Sequence, residues 1–171
     1  MKYLDSVVRR SLEFSVRQAI ASDLPLIAHH RAAMFRDMGK LASHQEEALL
    51  AATTSYLRDA LETGEYIGWV AEATGTSSVI GGAGAQIRPI LPRPSSDSEE
   101  LELGPEAIVL NVYVEPVWRR RGVADALMRA VLDGLAGRGI RRIVLHASDD
   151  GRRLYERLGF VATNEMRLGR G

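Results

Sequence analysis

The sequence predicts an α/β sandwich with a mixed central sheet. Short stretches of alternating apolar residues predict strands, and longer stretches with apolar residues three or four positions apart predict helices. Their order is β-α-α-β-β-β-α-β-α-β, which is typical of a layered α/β domain. The 171 residues, 46% of them apolar and 26% charged, suffice for one buried core. We therefore expect a single domain over residues 12–171 and an N-terminal extension over residues 1–11.

The first third of the chain is predicted to form one strand and two helices. Residues 12–19 alternate between apolar and polar and indicate the strand. Ser22 or Asp23 is expected to cap a helix that ends near Gly39, and a second helix follows over residues 45–62. The apolar side of the second helix is expected to consist of Leu49, Ala52, Tyr56, Leu57, Ala60 and Leu61.

The rest of the chain is predicted to alternate between strands and helices. A glycine-containing turn joins two strands into a hairpin, and a long loop rich in proline and acidic residues follows it. The predicted ranges are strands 66–73 and 78–88, loop 89–105, strand 107–114, helix 122–136, strand 141–147, helix 149–158 and a C-terminal strand pair around 160–168.

The strand over residues 107–114 leads into a basic turn that has the features of an anion site. Arg119, Arg120 and Arg121 precede Gly122, and a helix begins there. The first amides of a helix have no acceptor within it, and the helix dipole places partial positive charge at that end. Glycine allows the backbone to approach a bound phosphate closely. The turn therefore predicts a pocket for a diphosphate.

Two motifs in order resemble those of a known family. Residues 119–124, Arg-Arg-Arg-Gly-Val-Ala, fit the pattern Arg/Gln-x-x-Gly-x-Gly/Ala, and Leu154-Tyr155-Glu156 followed by Gly159-Phe160 fits a second signature about thirty residues later. Over residues 12–168 the chain resembles the GNAT (GCN5-related) N-acetyltransferase superfamily. The resemblance implies the GNAT acyl-CoA N-acyltransferase fold, with a mixed, mostly antiparallel central sheet and helices on both faces. It also implies acetyl-CoA as the co-substrate.

The resemblance also implies which residues hold acetyl-CoA. Backbone amides of Val112, Tyr113 and Val114 would pair with the pantetheine arm and polarise the thioester carbonyl. The pyrophosphate would be held by Arg119 and by the amides of Arg121, Gly122, Val123 and Ala124. For Arg120 and Arg121 an ordinary surface position is an equal alternative. Ser148 either contacts pantetheine or caps the helix that follows it.

Tyr155 and Asn111 are the candidate catalytic residues. In the second signature Tyr155 would donate a proton to the departing thiolate, and the alternative is a tyrosine buried for packing alone. Asn111, expected on the strand face opposite Ile108 and Leu110, is a candidate to orient water or substrate. Ile108 occupies the position where some relatives carry a glutamate base. Glu72, Glu106, His29, His30 and His146 remain open as bases, as does a reaction without a dedicated base.

The leading hypothesis is an N-acetyltransferase that moves acetyl from acetyl-CoA to the primary amine of a small molecule, by direct attack through a tetrahedral intermediate. The amine is expected to approach the face of the first two helices and the long loop, where Met34, Phe35, Asp37 and Met38 are candidate lining residues. The acidic residues within 97–102 favour a cationic acceptor. Two alternatives stay open: a non-catalytic acyl-CoA-binding regulatory module, and a protein or peptide N-acetyltransferase.

Composition excludes several other classes. The chain has no cysteine and no recognised zinc spacing, so we expect no disulfide and no metal. A net charge of zero argues against nucleic acid as a partner, and no apolar run is long enough to span a membrane. Residues 1–10 do not form a secretory signal, so a cytoplasmic location is expected. The family analogy also allows a homodimer.

Overall fold

The computed structural model describes residues 13–95 and 98–169, and the expected extension over residues 1–11 lies outside them. The strands are β1 (Phe14–Gln18), β2 (Tyr66–Ala73), β3 (Val79–Arg88), β4 (Arg93–Pro94), β5 (Leu101–Glu102), β6 (Glu106–Val114) and β7 (Arg142–Leu145). The helices are α1 (Leu24–Asp37), α2 (Glu46–Thr63), α3 (Val123–Ala136) and α4 (Asp149–Arg157). In the described part no helix is long and apolar enough to cross a membrane.

Five strands form the central sheet in the order β1-β2-β3-β6-β7. In this sheet β1 pairs antiparallel with β2, β2 with β3, and β3 with β6. Strand β7 pairs parallel with β6 after the α3 crossover. The mixed, mostly antiparallel sheet predicted from the sequence is confirmed.

Each face of the sheet carries its own apolar core. Helix α3 covers one face with Val123, Leu127, Val131 and Leu135, four of the five stripe residues expected from the sequence, and the fifth, Ala130, is partly buried against the same core. Helices α1 and α2 cover the other face, where Ile27, Leu57 and Ala60 pack on Tyr66 and Val70. Helices on both faces are therefore confirmed, and the two sides of β6 face different apolar cores.

Residues 81–84 of β3 provide small side chains where neighbours come close. A Cβ atom on Gly84 would lie 2.0 Å from the Tyr66 hydroxyl, and one on Gly81 would lie 2.8 Å from the carbonyl oxygen of Tyr113. Neither position accepts a side chain without a shift of its neighbour. These glycines thus allow Tyr66 to cross the sheet surface toward β6.

Three local expectations were wrong. Residues 160–169 form no regular strand, although a C-terminal strand pair was predicted around 160–168. The loop over residues 89–105 is not wholly irregular, since β4 and β5 pair as a short two-stranded sheet. Asp23 does not cap α1 with its side chain; it accepts a hydrogen bond from the backbone of Ile20 and two from Arg17.

Candidate active site

The whole of β7 pairs with β6, but only with the first half of β6. Their register runs from Glu106 opposite Arg142 to Val109 opposite Leu145, where β7 ends. Among residues 13–95 and 98–169, the second half of β6 therefore has no strand partner on this side, while β3 continues to pair along its other edge. Such an edge offers backbone amides and carbonyls to an extended ligand. The predicted strand over residues 141–147 is shorter in the structure, which lengthens this opening.

A β-bulge changes the direction of β6 at Asn111. The register with β3 shifts there, since Gly84 lies opposite Leu110 and Gly82 lies opposite Tyr113. Asn111 has φ +58°, a left-handed value that a non-glycine residue rarely adopts. Strict alternation had placed Asn111 on the face opposite Leu110, and this is wrong because the bulge turns both toward the α1/α2 side.

Beyond the bulge, alternate β6 residues serve the two faces. Val112 and Val114 pack against the α3 core, and Tyr113 is buried on the other side with its ring 5.1 Å from that of His30. The backbone of these three residues follows the unpaired edge of β6. Main-chain donors at this position need no particular side chain, which is why the letters alone carry no signal for them.

The start of α3 presents free amides in an open turn. The first backbone bond into this helix runs from the amide of Ala126 to the carbonyl of Gly122, so the preceding amides find no acceptor in the helix. Arg120 and Gly122 are both left-handed, with φ +63° and +84°. Alternation of left-handed and ordinary backbone turns successive amides toward one concave space, which suits an anion. Val123 is buried and anchors the turn to the core.

The three arginines of the turn have different surroundings. Arg119 donates to the carbonyl of Val114 at 2.9 Å and forms an ion pair with Asp37 at the end of α1. Arg121 is exposed and lies over the ring of Trp118, at 5.1 Å. Arg120 is exposed as well. Arg119 therefore joins the end of β6 to α1, whereas Arg121 also lies 3.7 Å from the carboxylate of Glu13.

Tyr155 and Ser148 lie on the α3 side of the opening. The Tyr155 ring is half-buried beside the same core as Val112, and it packs edge-on against Phe160 at 6.1 Å. Burial raises the pKa of Tyr155 above the ordinary tyrosine value of 10.0, so the hydroxyl holds its proton at neutral pH. Ser148 accepts a hydrogen bond from the amide of Gly151 at 3.2 Å and caps α4, which confirms the capping alternative.

Two carboxylates among the candidate bases are engaged by arginine. Glu106, only 3% exposed, accepts hydrogen bonds from Arg88 and Arg142. Its burial favours a raised pKa, but the two arginines outweigh burial and hold the pKa of Glu106 below its ordinary value of 4.5. Glu72 accepts hydrogen bonds from Arg17 at 2.9 and 2.7 Å. Both carboxylates are held by arginine, and the lowered pKa of Glu106 makes it poorly suited to accept a proton at neutral pH.

The three histidine candidates are unsuitable for different reasons. His29 and His146 are exposed, and His146 lies 3.7 Å from Glu165 outside the opening. His30 is 2% exposed, and burial, with His29 nearby, lowers the pKa of His30 to about 4. It is therefore neutral at pH 7, and its contact with Glu115 at 3.5 Å is not an ion pair. The structure favours no dedicated base among the five candidates.

A small pocket lies on the α1/α2 side of the bulge, with a volume of about 260 Å³. Its lining residues are Arg31, Leu49, Ala52, Thr53, Tyr56, Leu57, Tyr66, Gln86, Leu110 and Asn111. Ala52 and Tyr56 were expected in the core but are exposed, because α2 turns them toward this pocket. The larger cavity, about 850 Å³, lies near Gln18 and Gly64, away from the turn that begins α3.

The pocket occupies the expected face but not the expected residues. Met34, Phe35, Asp37 and Met38 do not line it. Asp37 pairs with Arg119 instead, and Phe35 stacks on Arg31 with the guanidinium carbon 4.8 Å from the ring centre. The expected lining was therefore about one helical turn too far along α1.

Sequence reasoning missed the polar residues of this pocket. Arg31 follows the buried Ile27 by four positions, so a charge stands on the apolar side of α1, and this was the available signal. Tyr66 gave no comparable signal, since an aromatic residue at the start of a buried strand is ordinary.

The acidic residues within 97–102 lie at the other end of β6. Glu102 is 3.1 Å from Arg93 and Glu100 is 3.8 Å from Arg141, and β5 precedes the first residue of β6. These carboxylates are paired with arginines and lie at the opposite end of β6 from the bulge. They therefore contribute little electrostatic potential at the bulge. The expected preference for a cationic acceptor has no support from this arrangement.

Comparisons with known proteins are consistent with this geometry. The family model described as "Acetyltransferase (GNAT) family" matches residues 29–160. A GCN5-related N-acetyltransferase from Ralstonia eutropha JMP134 is 34% identical, with a TM-score of 0.80 over 91% of this chain and 97% of that one. A predicted acetyltransferase from Clostridium acetobutylicum, solved with acetyl-CoA, is 25% identical, with a TM-score of 0.75 over 91% and 96%.

A more distant structure shares the fold alone. An aminoglycoside N-acetyltransferase in complex with CoA is 23% identical, with a TM-score of 0.64 over 92% of this chain and 94% of that one. No curated protein matches the chain.

Proposed function

This chain belongs to the GNAT family of acetyltransferases, which acetylate amines from acetyl-CoA, and we propose that it acetylates the primary amine of a small molecule by direct attack on the thioester. The observation that supports this most is a coincidence of two features at one end of β6. Within the part of the chain that the structure describes, β6 has an unpaired edge from residue 110 onward, and α3 begins a few residues later with free amides.

The residues present fit the two parts of acetyl-CoA. The amides of Gly122, Val123 and Ala124, with that of Arg121, suit the pyrophosphate, and each charge-assisted bond contributes about 1.5–3 kcal/mol. Arg120 and Arg121 are exposed and near the same anion site, but Arg121 must leave Glu13 to reach it and Arg119 must leave Asp37. The edge of Val112, Tyr113 and Val114 suits an amide-bearing arm, and Ser148 lies across the opening.

Acetyl-CoA supplies the acetyl group as a thioester. In the proposed mechanism the Val112 amide, beside the bulge, donates to the carbonyl oxygen where negative charge develops. Tyr155 donates its proton to the leaving sulfur, since a tyrosine with a raised pKa remains protonated at neutral pH. The nitrogen loses one proton to solvent as the amide forms, and Tyr155 regains a proton from solvent. Asn111 positions the amine from the opposite side of β6.

The pocket favours a small acceptor. Pockets for drug-sized ligands measure roughly 300–1,000 Å³, and this one is about 260 Å³. It lies between α1, α2 and the bulge, so an amine bound there meets β6 on the face opposite Val112 and Tyr155. A small molecule therefore fits better than a protein side chain on its backbone.

The proposal is tested by acetyl-CoA-dependent release of free thiol with a panel of amines. We expect release that depends on both substrates and N-acetylated product by mass spectrometry. CoA binding without turnover on any amine or peptide would instead support the regulatory alternative, and turnover on peptides alone would support the protein N-acetyltransferase alternative. The single-domain boundary at residue 12, the homodimer and the cytoplasmic location stay predictions.

A further inference from the structure

The pocket beside the bulge contains a cation without a counter-ion. Arg31 is half-buried in it, and burial lowers the pKa of Arg31 while leaving the guanidinium charged at neutral pH. Within the described residues no aspartate or glutamate lines the pocket, and the Arg31 side chain donates to the neutral amide of Asn111 at 2.6 Å. A partly desolvated charge in this situation is stabilised by an anion that enters the pocket.

The hydrogen bonds of Asn111 make the pocket a set of donors. Arginine cannot accept a hydrogen bond, so its contact fixes the Asn111 carbonyl oxygen toward Arg31 and the amide nitrogen toward Tyr66. That nitrogen donates to the Tyr66 hydroxyl at 3.1 Å. Because the Tyr66 oxygen already accepts, its own proton is left to donate. The pKa of Tyr66 is raised to about 12 by burial, so this proton is present at neutral pH.

We propose that the acceptor of this enzyme carries a carboxylate in addition to its amine, and that Arg31 and Tyr66 bind the carboxylate in the pocket beside the bulge. This inference rests on the proposed function and names the substrate class. A guanidinium matches a carboxylate through two parallel hydrogen bonds. Arg31 is the one cation among the described lining residues, which suits a single negative charge better than a phosphate dianion. Small amino acids have the required groups and fit about 260 Å³.

The arrangement also helps to explain why no base is evident. The lining residues described include no carboxylate that would stabilise an ammonium, and the charge of Arg31 disfavours a second cation in the same pocket. The bound amine is thereby shifted toward its neutral, nucleophilic form. Arg31 is thus a binding residue for the carboxylate and a positioning residue for the amine.

The test compares matched acceptors with wild type, Arg31→Gln and Arg31→Lys. The acceptors are small amino acids, their carboxamides and the corresponding amines without a carboxyl group, with aminoalkyl phosphates as a further arm. Arg58→Gln is the matched control, because Arg58 is an exposed arginine of α2 outside this pocket. We expect wild type and Arg58→Gln to favour the amino acids at least tenfold in kcat/KM, and Arg31→Gln to lose that preference with an unchanged KM for acetyl-CoA. Arg31→Lys should retain part of it.

Binding of N-acetyl amino acids and their carboxamides, followed by calorimetry, gives a readout that does not require turnover. Stronger binding of the carboxylate to wild type than to Arg31→Gln supports the inference. Equal treatment of acids and amides, or an Arg31→Gln variant that keeps the preference, would overturn it while leaving acetyl transfer intact. A preference for phosphates overturns the assignment to carboxylate. Failure of the proposed function has a different signature, namely no CoA binding and no thiol release with any amine.

Discussion

Tyr155 and Glu106 show how burial gives two ionisable residues opposite roles. Tyr155 has no charged partner, so burial alone raises its pKa and preserves a proton that a thiolate can receive. Glu106 has two arginine partners, which outweigh burial and keep it ionised. Tyr155 is therefore suited to donate a proton, and Glu106 is suited to link β3, β6 and β7.

Replacement of Tyr155 by phenylalanine tests its proposed role as acid. We expect turnover to fall by about 10²–10⁴, the usual contribution of a positioned acid, while the melting temperature and CoA affinity stay within error. Steady-state thiol release measures turnover, and calorimetry measures affinity. Unchanged turnover with several amines would remove Tyr155 from the mechanism.

Replacement of Glu106 by glutamine is expected to lower the free energy of unfolding by about 2–3 kcal/mol. Removal of one partner of a fully buried pair costs roughly 3–5 kcal/mol, and the half-exposed side chain of Arg88 reduces this. Because the pKa of Glu106 is lowered on folding, its contribution is complete above the ordinary value of 4.5 and is lost as the pH falls through the lowered one. Urea unfolding at several pH values measures it.

The control for this variant is Glu99→Gln, since Glu99 is exposed. Wild type and Glu106→Gln should differ most above about pH 5 and converge in acid, where wild type loses the same charge. A difference independent of pH would show that the ion pairs are not its source.

Some of the candidate residues lie in recognisable sequence motifs, and others have no clear signal in the sequence. Arg119, Gly122 and Tyr155 lie in motifs, and Ser148 precedes the helix that carries Tyr155. Asn111 stays a candidate residue of the site, and its expected face was wrong because strict alternation does not anticipate a β-bulge. Arg31 was visible only as a charge on an apolar stripe.

At the scale of elements, the open start of α3 is built from backbone conformation. Gly122 at φ +84° turns the chain so that the amides before α3 converge, and nothing lies within 4 Å of a Cβ placed there. Substitution at this position therefore meets strain without a clash. The proposed cofactor site therefore depends on this turn more than on any one arginine.

Gly122→Ala is expected to destabilise the protein by about 1 kcal/mol through left-handed strain and to weaken CoA binding at least tenfold. Gly139→Ala is the matched control, since Gly139 has φ +72°, has equally open surroundings and lies beyond the other end of α3. It should cost similar stability and leave CoA affinity unchanged. Equal losses of CoA affinity in both variants would show that the loss comes from reduced stability and not from the turn at Gly122.

Elements with a strong periodic pattern were predicted within a few residues. The predicted helix over residues 122–136 and the strand over residues 66–73 agree with α3 and β2 almost to the residue. The C-terminal strand pair was wrong because residues 160–169 follow α4 without pairing, and an apolar residue in such a segment looks like one in a strand. Strands β4 and β5 are too short to show the alternation of apolar and polar residues that predicts a strand.

At the scale of the whole molecule, β6 separates the proposed site of the acetyl donor from the proposed site of the amine acceptor. Its α3 side carries the opening toward α4, and its α1/α2 side carries the pocket with Arg31. The bulge at Asn111 is where the two sides meet, next to the last residue paired with β7. Acetyl donor and amine acceptor would therefore approach the same point from opposite faces of one strand.

Calorimetric titration of the full chain with CoA, beside an equal titration with pantetheine, tests most directly whether the start of α3 binds a diphosphate. Measurement at two temperatures excludes a chance absence of heat, since burial changes the heat capacity. We expect CoA to bind in the micromolar to low millimolar range typical of enzyme substrates, with pantetheine at least a hundredfold weaker. A folded protein that takes up no CoA at millimolar concentration, or that binds pantetheine equally well, would contradict it.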